Sequence, residues 1–204
     1  MSSASGVGNT PTHLRCPIPL APNSDPGWLG REPTIDEREV VNWMQNRELP
    51  SSICHVGVGT ALLTREFGGR VTLGITRDGA EAAHARDLGL KVILCNKYDV
   101  PSYEEFLEPQ FDCIVDVNIR SYACCDLHFR AFMQKMSESL EPGGMLVTST
   151  RGLDYLVPTS LDALSQLCPE WTIRARGTIV TMRPSPLVRL RQWWRSRTVG
   201  AHAH

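Results

Sequence analysis

The chain has 204 residues, of which 42% are apolar and 21% charged, with a formal net charge of −1. That length suits one domain with short extra arms, and that balance excludes a wholesale nucleic-acid wrapper and a disordered acidic solvator. Seven cysteines, an odd number with no Cys-x-x-Cys pair, imply neither a disulfide framework nor a zinc site, so no metal is expected and a reduced, cytoplasmic setting is. The first residues lack the basic start and apolar stretch of a secretory signal. No apolar run reaches the length of a membrane span, so neither export nor a transmembrane segment is expected.

Residues 1–34 are rich in Pro, Gly, Ser and Asn and read as an arm or lid, with Trp28 and Leu29 as its anchors. At Thr34 the pattern changes. Thr34 with Glu37 has the spacing of a capping box, and Val40, Val41 and Met44 recur at helical spacing, which predicts a helix over 35–47.

Short apolar or β-branched runs then alternate with helical stretches. Ile53–Val56, Val71–Ile75, Val92–Cys95, Cys113–Val117 and Met145–Thr148 show little polar alternation, as strands buried on both faces require. Helical patterns fall at 60–67, 78–88, 102–107 and 124–140, the last stopped by Pro142-Gly143-Gly144. After a helix near 159–167, Trp171–Ala175 and Thr178–Met182 flank Arg176-Gly177 as an antiparallel hairpin closing one sheet edge. The prediction is a three-layer α/β sandwich, with a seven-stranded, mostly parallel sheet and a C-terminal antiparallel hairpin, over residues 35–183.

The first strand ends in Val56-Gly57-Val58-Gly59-Thr60 and opens a helix. Two glycines there let the backbone turn sharply and approach a ligand with no Cβ in the way. A plain strand-to-helix turn would look the same in isolation. Phe111-Asp112-Cys113-Ile114 entering the fourth strand and Leu140-Glu141-Pro142-Gly143-Gly144-Met145-Leu146 entering the fifth complete the pattern. Together these segments resemble the class I S-adenosylmethionine-dependent methyltransferases, in which the glycine loop touches the cofactor.

The resemblance implies S-adenosyl-L-methionine as cofactor and assigns its binding to His55, Val56, Gly57, Val58, Gly59, Thr60, Thr76, Asn96, Lys97, Tyr98 and Asp116. Departures stand at known points. His55 occupies the place of an acid two positions before the first glycine, and Ala61 that of a third small residue. Thr76 replaces the carboxylate that holds the ribose hydroxyls, so Thr76→Asp is expected to improve affinity. Asn96 replaces the acid that receives the adenine amino group, which its amide oxygen can accept, and Tyr98 is positioned in sequence to stack on the purine. Asp78 and Asp99 could stand in for the two acids, or be a helix cap and a loop residue.

Chemistry is expected on the segment leaving the fourth strand. Asp116, Tyr122 and His128 are the candidate catalytic groups, because each can accept a proton or orient a hydroxyl, and histidine is nearest neutrality in its ordinary pKa. Asn118, Asp154 and Tyr155 are candidate substrate contacts. Cys124-Cys125 reads as structural unless a histidine or lysine stands beside it at defined geometry.

The tail, 184–204, carries Arg189, Arg191, Arg195 and Arg197 around Trp193-Trp194. It reads as a solvated or docked basic segment, with an anionic membrane surface or a nucleic-acid backbone as the functional alternatives. No nucleic-acid module is recognised, and the oligomeric state stays open, a homodimer included. The implied function is methyl transfer to a small-molecule oxygen or nitrogen, in sugar, cell-envelope or secondary-metabolite chemistry. The alternative is a binding or scaffolding protein that kept this fold without catalysis. A nicotinamide-dependent oxidoreductase is disfavoured, because Leu62 stands where a third glycine is needed.

Overall fold

A computed structural model describes residues 31–103, 107, 111–153 and 159–190. The arm up to residue 30, with Trp28 and Leu29, the candidate contacts Asp154 and Tyr155, and the tail from residue 191 lie outside the described residues.

Helix α1 spans Ile35–Gln45 and starts where the capping box places it. The Glu37 amide donates to the Thr34 hydroxyl at 3.2 Å, and the Thr34 amide donates to the Glu37 carboxylate at 2.7 Å. Val40, Val41 and Met44 form its buried stripe. Strand β1 (Ile53–Val56) follows, then α2 (Leu62–Phe67), β2 (Val71–Thr76), α3 (Gly79–Asp87), β3 (Val92–Leu94) and β4 (Phe111–Asp116). The second half contains α4 (Asp126–Glu138), β5 (Leu140–Ser149), α5 (Thr150–Leu153), α6 (Leu161–Leu167), β6 (Trp171–Arg176) and β7 (Ile179–Pro184).

The sheet has seven strands in the order β3-β2-β1-β4-β5-β7-β6. The first five are parallel neighbours, β7 is antiparallel to β5, and β6 is antiparallel to β7, so β7 alone runs against the rest. Parallel pairing demands crossover connections, which the helices supply on both faces.

Alternate residues of one strand feed opposite faces. Ile53 packs in the cluster with Val40, Leu63 and Ala82 from α1, α2 and α3, whereas Cys54 and Val56 pack in the cluster with Phe129 and Phe132 from α4 and Leu164 from α6. Each fully buried aliphatic or aromatic side chain contributes about 1.5–3 kcal/mol relative to exposure, so this two-sided burial is the main stabilisation of the sheet. Both faces being covered also explains why its strands read as continuous apolar runs.

Two segments differ from the sequence expectation. Helix α4 ends at Glu138, before the glycines, and Leu140 already pairs with Phe111; Pro142-Gly143-Gly144 instead forms an irregular stretch inside β5. The helix expected over 102–107 falls largely on residues 104–106, which lie outside the described residues; residues 100–102 before it form a short 3-10 turn. The segment after β5, expected as a loop, begins with the helical turn α5. Gly152 permits that turn, because a Cβ there would stand only 1.6 Å from the Val117 carbonyl oxygen. It thereby clamps the exit of β5 against the exit of β4.

The strand order reverses between β1 and β4, and such switch points leave a crevice at the carboxyl ends of the strands. Among the described residues no helix is long and apolar enough to cross a membrane.

Candidate functional site

A crevice of about 430 Å³ opens at that switch point, within the size range of small-molecule sites. Its floor is the turn between β1 and α2. Gly57 and Gly59 have φ of +73° and +53°, a region that side chains rarely adopt. A Cβ added at Gly57 would meet nothing within 4 Å, so the backbone there faces open space, whereas one at Gly59 would stand 3.2 Å from Glu37 Oε1. Ala61, at φ +55°, carries the turn's third left-handed residue and precedes α2. Its side chain is buried.

Two carboxylates from helix starts face this loop. Glu37, the capping-box acid of α1, accepts from the Thr60 hydroxyl at 3.4 Å. Glu81, in the first turn of α3, accepts from the Gly59 amide at 3.2 Å and from the Thr76 hydroxyl at 2.6 Å, both at Oε2. Asp78 caps α3, accepting from the Ala80 and Glu81 amides at 2.8 and 3.0 Å. The end of β2 therefore carries a carboxylate after all, delivered by Glu81 rather than by the strand residue Thr76.

The opposite wall is charged and tightly paired. Lys97, just past β3, donates to both Asp116 oxygens at 3.0 and 2.8 Å and to the Asn118 carbonyl at 2.7 Å. Asp116 is the last residue of β4, and its carboxylate also accepts the Asn118 amide at 3.2 Å. Burial pushes the Asp116 carboxyl up, and Lys97 pulls it back. Burial likewise pushes the Lys97 ammonium down against the pull of Asp116. The Asn96 side-chain oxygen accepts the Tyr98 amide at 3.0 Å, which fixes the side chain at the mouth of β3.

At the rim, Tyr122 is 44% exposed with φ +62°, and the Arg77 guanidinium lies 4.5 Å from its ring centroid. Arg77 Nη1 is buried and has no hydrogen-bond partner among the described residues. It lies at a crevice also lined by the cations Arg31 and Lys97 and by the carboxylates of Glu37, Asp78, Glu81 and Asp116.

Of the residues singled out from sequence, Val56, Gly57, Gly59, Thr76, Asp78, Asn96, Lys97, Tyr98, Asp116, Asn118 and Tyr122 line the crevice. Others do not present side chains to it. His55 lies within β1, fully buried, with neither ring nitrogen partnered among the described residues; desolvation holds its pKa down at about 4. Val58 points into the core beside Ala61 and Leu63, and Thr60 turns toward Glu37.

Tyr98 borders the crevice, but its ring is wholly buried. It packs edge-on to Phe132 at 5.5 Å between centroids, and its hydroxyl donates to the Ile119 carbonyl at 2.7 Å, so it has no face to offer a purine. His128 is one turn into α4 and buried, and its Nδ1 lies 3.1 Å from each of the Cys124 and Cys125 sulfurs rather than in the crevice. Hydrogen bonds led by the His128 backbone amide, with the His128 ring and Cys124 adding to them, bring the Cys125 thiol down to about 7.

The sequence reading missed Glu37, Glu81 and Arg77 as crevice residues. Glu37 was legible only as a cap. Glu81 stands three residues after Asp78, a helix-start spacing that places its side chain over the turn preceding α3, toward the end of β2.

No family model matches the chain, and no curated protein matches it by sequence. Among solved structures it is similar to the N-methyltransferase NodS from Bradyrhizobium japonicum WM9, with a TM-score of 0.56 and 14% identity over 73% of this chain and 96% of that one. The complex of NodS with S-adenosyl-L-homocysteine gives 0.53 at 17% identity, over 74% of this chain and 87% of that one. A DhpI–SAH complex gives 0.50 at 18% identity, over 66% and 77% respectively. At these identities the likeness establishes the fold: the chain has the class I methyltransferase fold.

Proposed function

We propose that the crevice binds S-adenosyl-L-methionine and that the protein transfers its methyl group to a small-molecule oxygen or nitrogen. One observation carries the reading most. The glycine turn leaves its backbone open at the switch point of a class I methyltransferase sheet, with open space where a Cβ on Gly57 would stand.

The residues fit the group. The Gly57–Gly59 backbone would take the amino-acid end, Glu81 with Thr76 the ribose, and the Asn96 side chain the adenine edge. Arg77, whose Nη1 is buried and unpartnered among the described residues, suits an anionic group on the cofactor or the acceptor. The cofactor supplies an activated methyl group; alignment and proton handling are left to the chain. Asp116 sits at the strand end beside the crevice, and burial pushes its carboxyl up from the ordinary carboxylate value against the pull of Lys97, which makes it a stronger base toward the acceptor's proton. Tyr122, exposed at the rim under Arg77, donates a hydrogen bond to orient the acceptor.

The acceptor is a small molecule, by the scale of the crevice. Turnover of a panel of sugar and amine acceptors, in the parent, Asp116→Asn and Tyr122→Phe, tests the assignment. Loss of a general base commonly costs about 100-fold or more in rate. Parental turnover in both variants, with cofactor affinity intact, would remove this segment from the chemistry.

A further inference from the structure

Cys124, Cys125 and His128 bring three metal-ligating atoms within 4.8 Å of one another, outside the crevice. Local structure produces the cluster. Cys125 precedes α4 in an extended conformation, with φ −168° and ψ 167°, and His128 lies in the first turn of the helix, where side chains lean back toward the N-terminus. Its Nδ1 consequently stands 3.1 Å from both sulfurs, and the sulfurs are 3.9 Å apart.

Those spacings suit one ion. With zinc–sulfur bonds of about 2.3 Å and zinc–nitrogen bonds of about 2.0–2.1 Å, a tetrahedral site holds its sulfurs about 3.8 Å apart and each sulfur about 3.6 Å from the nitrogen. The two thiols already have the required separation, and the imidazole needs to withdraw by about 0.5 Å, a small side-chain rotation. Two thiolates and a neutral imidazole select a soft or borderline ion over magnesium or calcium, which require oxygen ligands. Two thiolates also neutralise a divalent charge, which limits the cost of holding it beside the buried His128. Cys125 is exposed, which provides an entry path and leaves the fourth coordination position to water.

We propose that Cys124, Cys125 and His128 form a site for a thiophilic divalent ion of the zinc class, with three protein ligands and one open position. The bound ion would pin the segment leaving β4, which carries Tyr122 at the crevice rim, to the first turn of α4. The site stands independently of the methyl-transfer reading.

The test uses the full chain, stripped with a chelator and kept reduced with a non-thiol reductant. It is titrated with cobalt(II) by absorbance and then back-titrated with zinc(II). One cobalt per chain, with thiolate charge transfer and tetrahedral d–d bands that zinc discharges, is the expected result. Cys125→Ser, at an exposed N-cap position where serine keeps a helix-capping side chain, and His128→Gln should each weaken binding by about tenfold or more. Cys124→Ser/Cys125→Ser should abolish the spectrum. A parent chain with no tetrahedral thiolate spectrum would overturn the proposal. So would Cys125→Ser binding with parental affinity, or a folded double-serine variant that keeps the signal.

Discussion

Thr76 donates its hydroxyl hydrogen to Glu81 Oε2 across 2.6 Å, and the same oxygen accepts the Gly59 amide at 3.2 Å. One carboxylate thus ties the end of β2 to the glycine turn. An aspartate at Thr76 would face Glu81 at hydrogen-bonding distance with no hydrogen to give, which reverses the expectation drawn from sequence. Thr76→Asp should lower affinity for S-adenosyl-L-methionine by about tenfold or more and destabilise the fold by about 1–3 kcal/mol, the cost of a buried polar group left unmatched. Calorimetric titration and urea unfolding measure the two effects. A rise in affinity would mean that Glu81 does not hold the ribose end.

The Lys97–Asp116 pair is nearly closed to solvent, with side chains 12% and 2% exposed. Removing one partner of such a pair leaves a buried charge, a loss of about 3–5 kcal/mol, whereas replacing both with apolar groups is commonly neutral or better. Lys97→Met should therefore be strongly destabilised, and Lys97→Met/Asp116→Leu should recover most of the loss in a urea double-mutant cycle. The pH profile follows from the directions of the shifts. Asp116 is held above 3.8, so its contribution to stability falls as pH rises from there; Lys97 is held below 10.5, so its contribution rises with pH on the alkaline approach to that value. The double variant should lose both slopes. Additive single effects would show that the two groups are not coupled.

His55 gives a separate acid signature. Its pKa is lowered from 6.5 to about 4 by desolvation, so the unfolded chain binds a proton between those values and the folded chain does not. Stability present above pH 6.5 is lost as pH falls toward 4, by about 3 kcal/mol in total. His55→Met should flatten this window. At neutral pH the variant should be as stable as the parent or more so, because it removes two buried nitrogens that have no partner among the described residues. Unfolding free energies at several pH values, compared as differences between the two proteins, isolate the effect from Asp116. Parallel profiles would place a proton donor or acceptor against the ring.

Most of the architecture was legible in the sequence because it rests on period and punctuation. The capping box at Thr34 and Glu37, the short, largely apolar runs of β1 and β4, and the turn at Gly177 each follow from one local rule. The site was legible only where backbone makes it. Gly57 and Gly59 announce an open turn by residue type, but the direction of a side chain on a buried strand depends on neighbours distant in sequence. Tyr98 shows the difference: its position beside the crevice follows from strand order, yet Phe132 and the Ile119 carbonyl, both from beyond β4, draw its ring into the core. His128 shows the same on a helix, where its own neighbours Cys124 and Cys125 claim the ring. Glu81 was hidden because its role at the end of β2 comes from a different element.

The central claim is that this crevice holds S-adenosyl-L-methionine over the glycine turn. Calorimetric titration of the full chain with S-adenosyl-L-methionine and with its demethylated product, beside Gly59→Val, tests it most directly. At Gly59 the backbone has φ +53° and an added Cβ would meet Glu37 Oε1 at 3.2 Å, so valine should both strain the turn and displace the carboxylate. The account predicts saturable one-to-one binding of both ligands by the parent and a loss of about tenfold or more in the variant, with circular dichroism showing it folded. No saturable heat from the folded parent, or equal affinity in Gly59→Val, would contradict it, and the first outcome would leave a methyltransferase fold that binds something else.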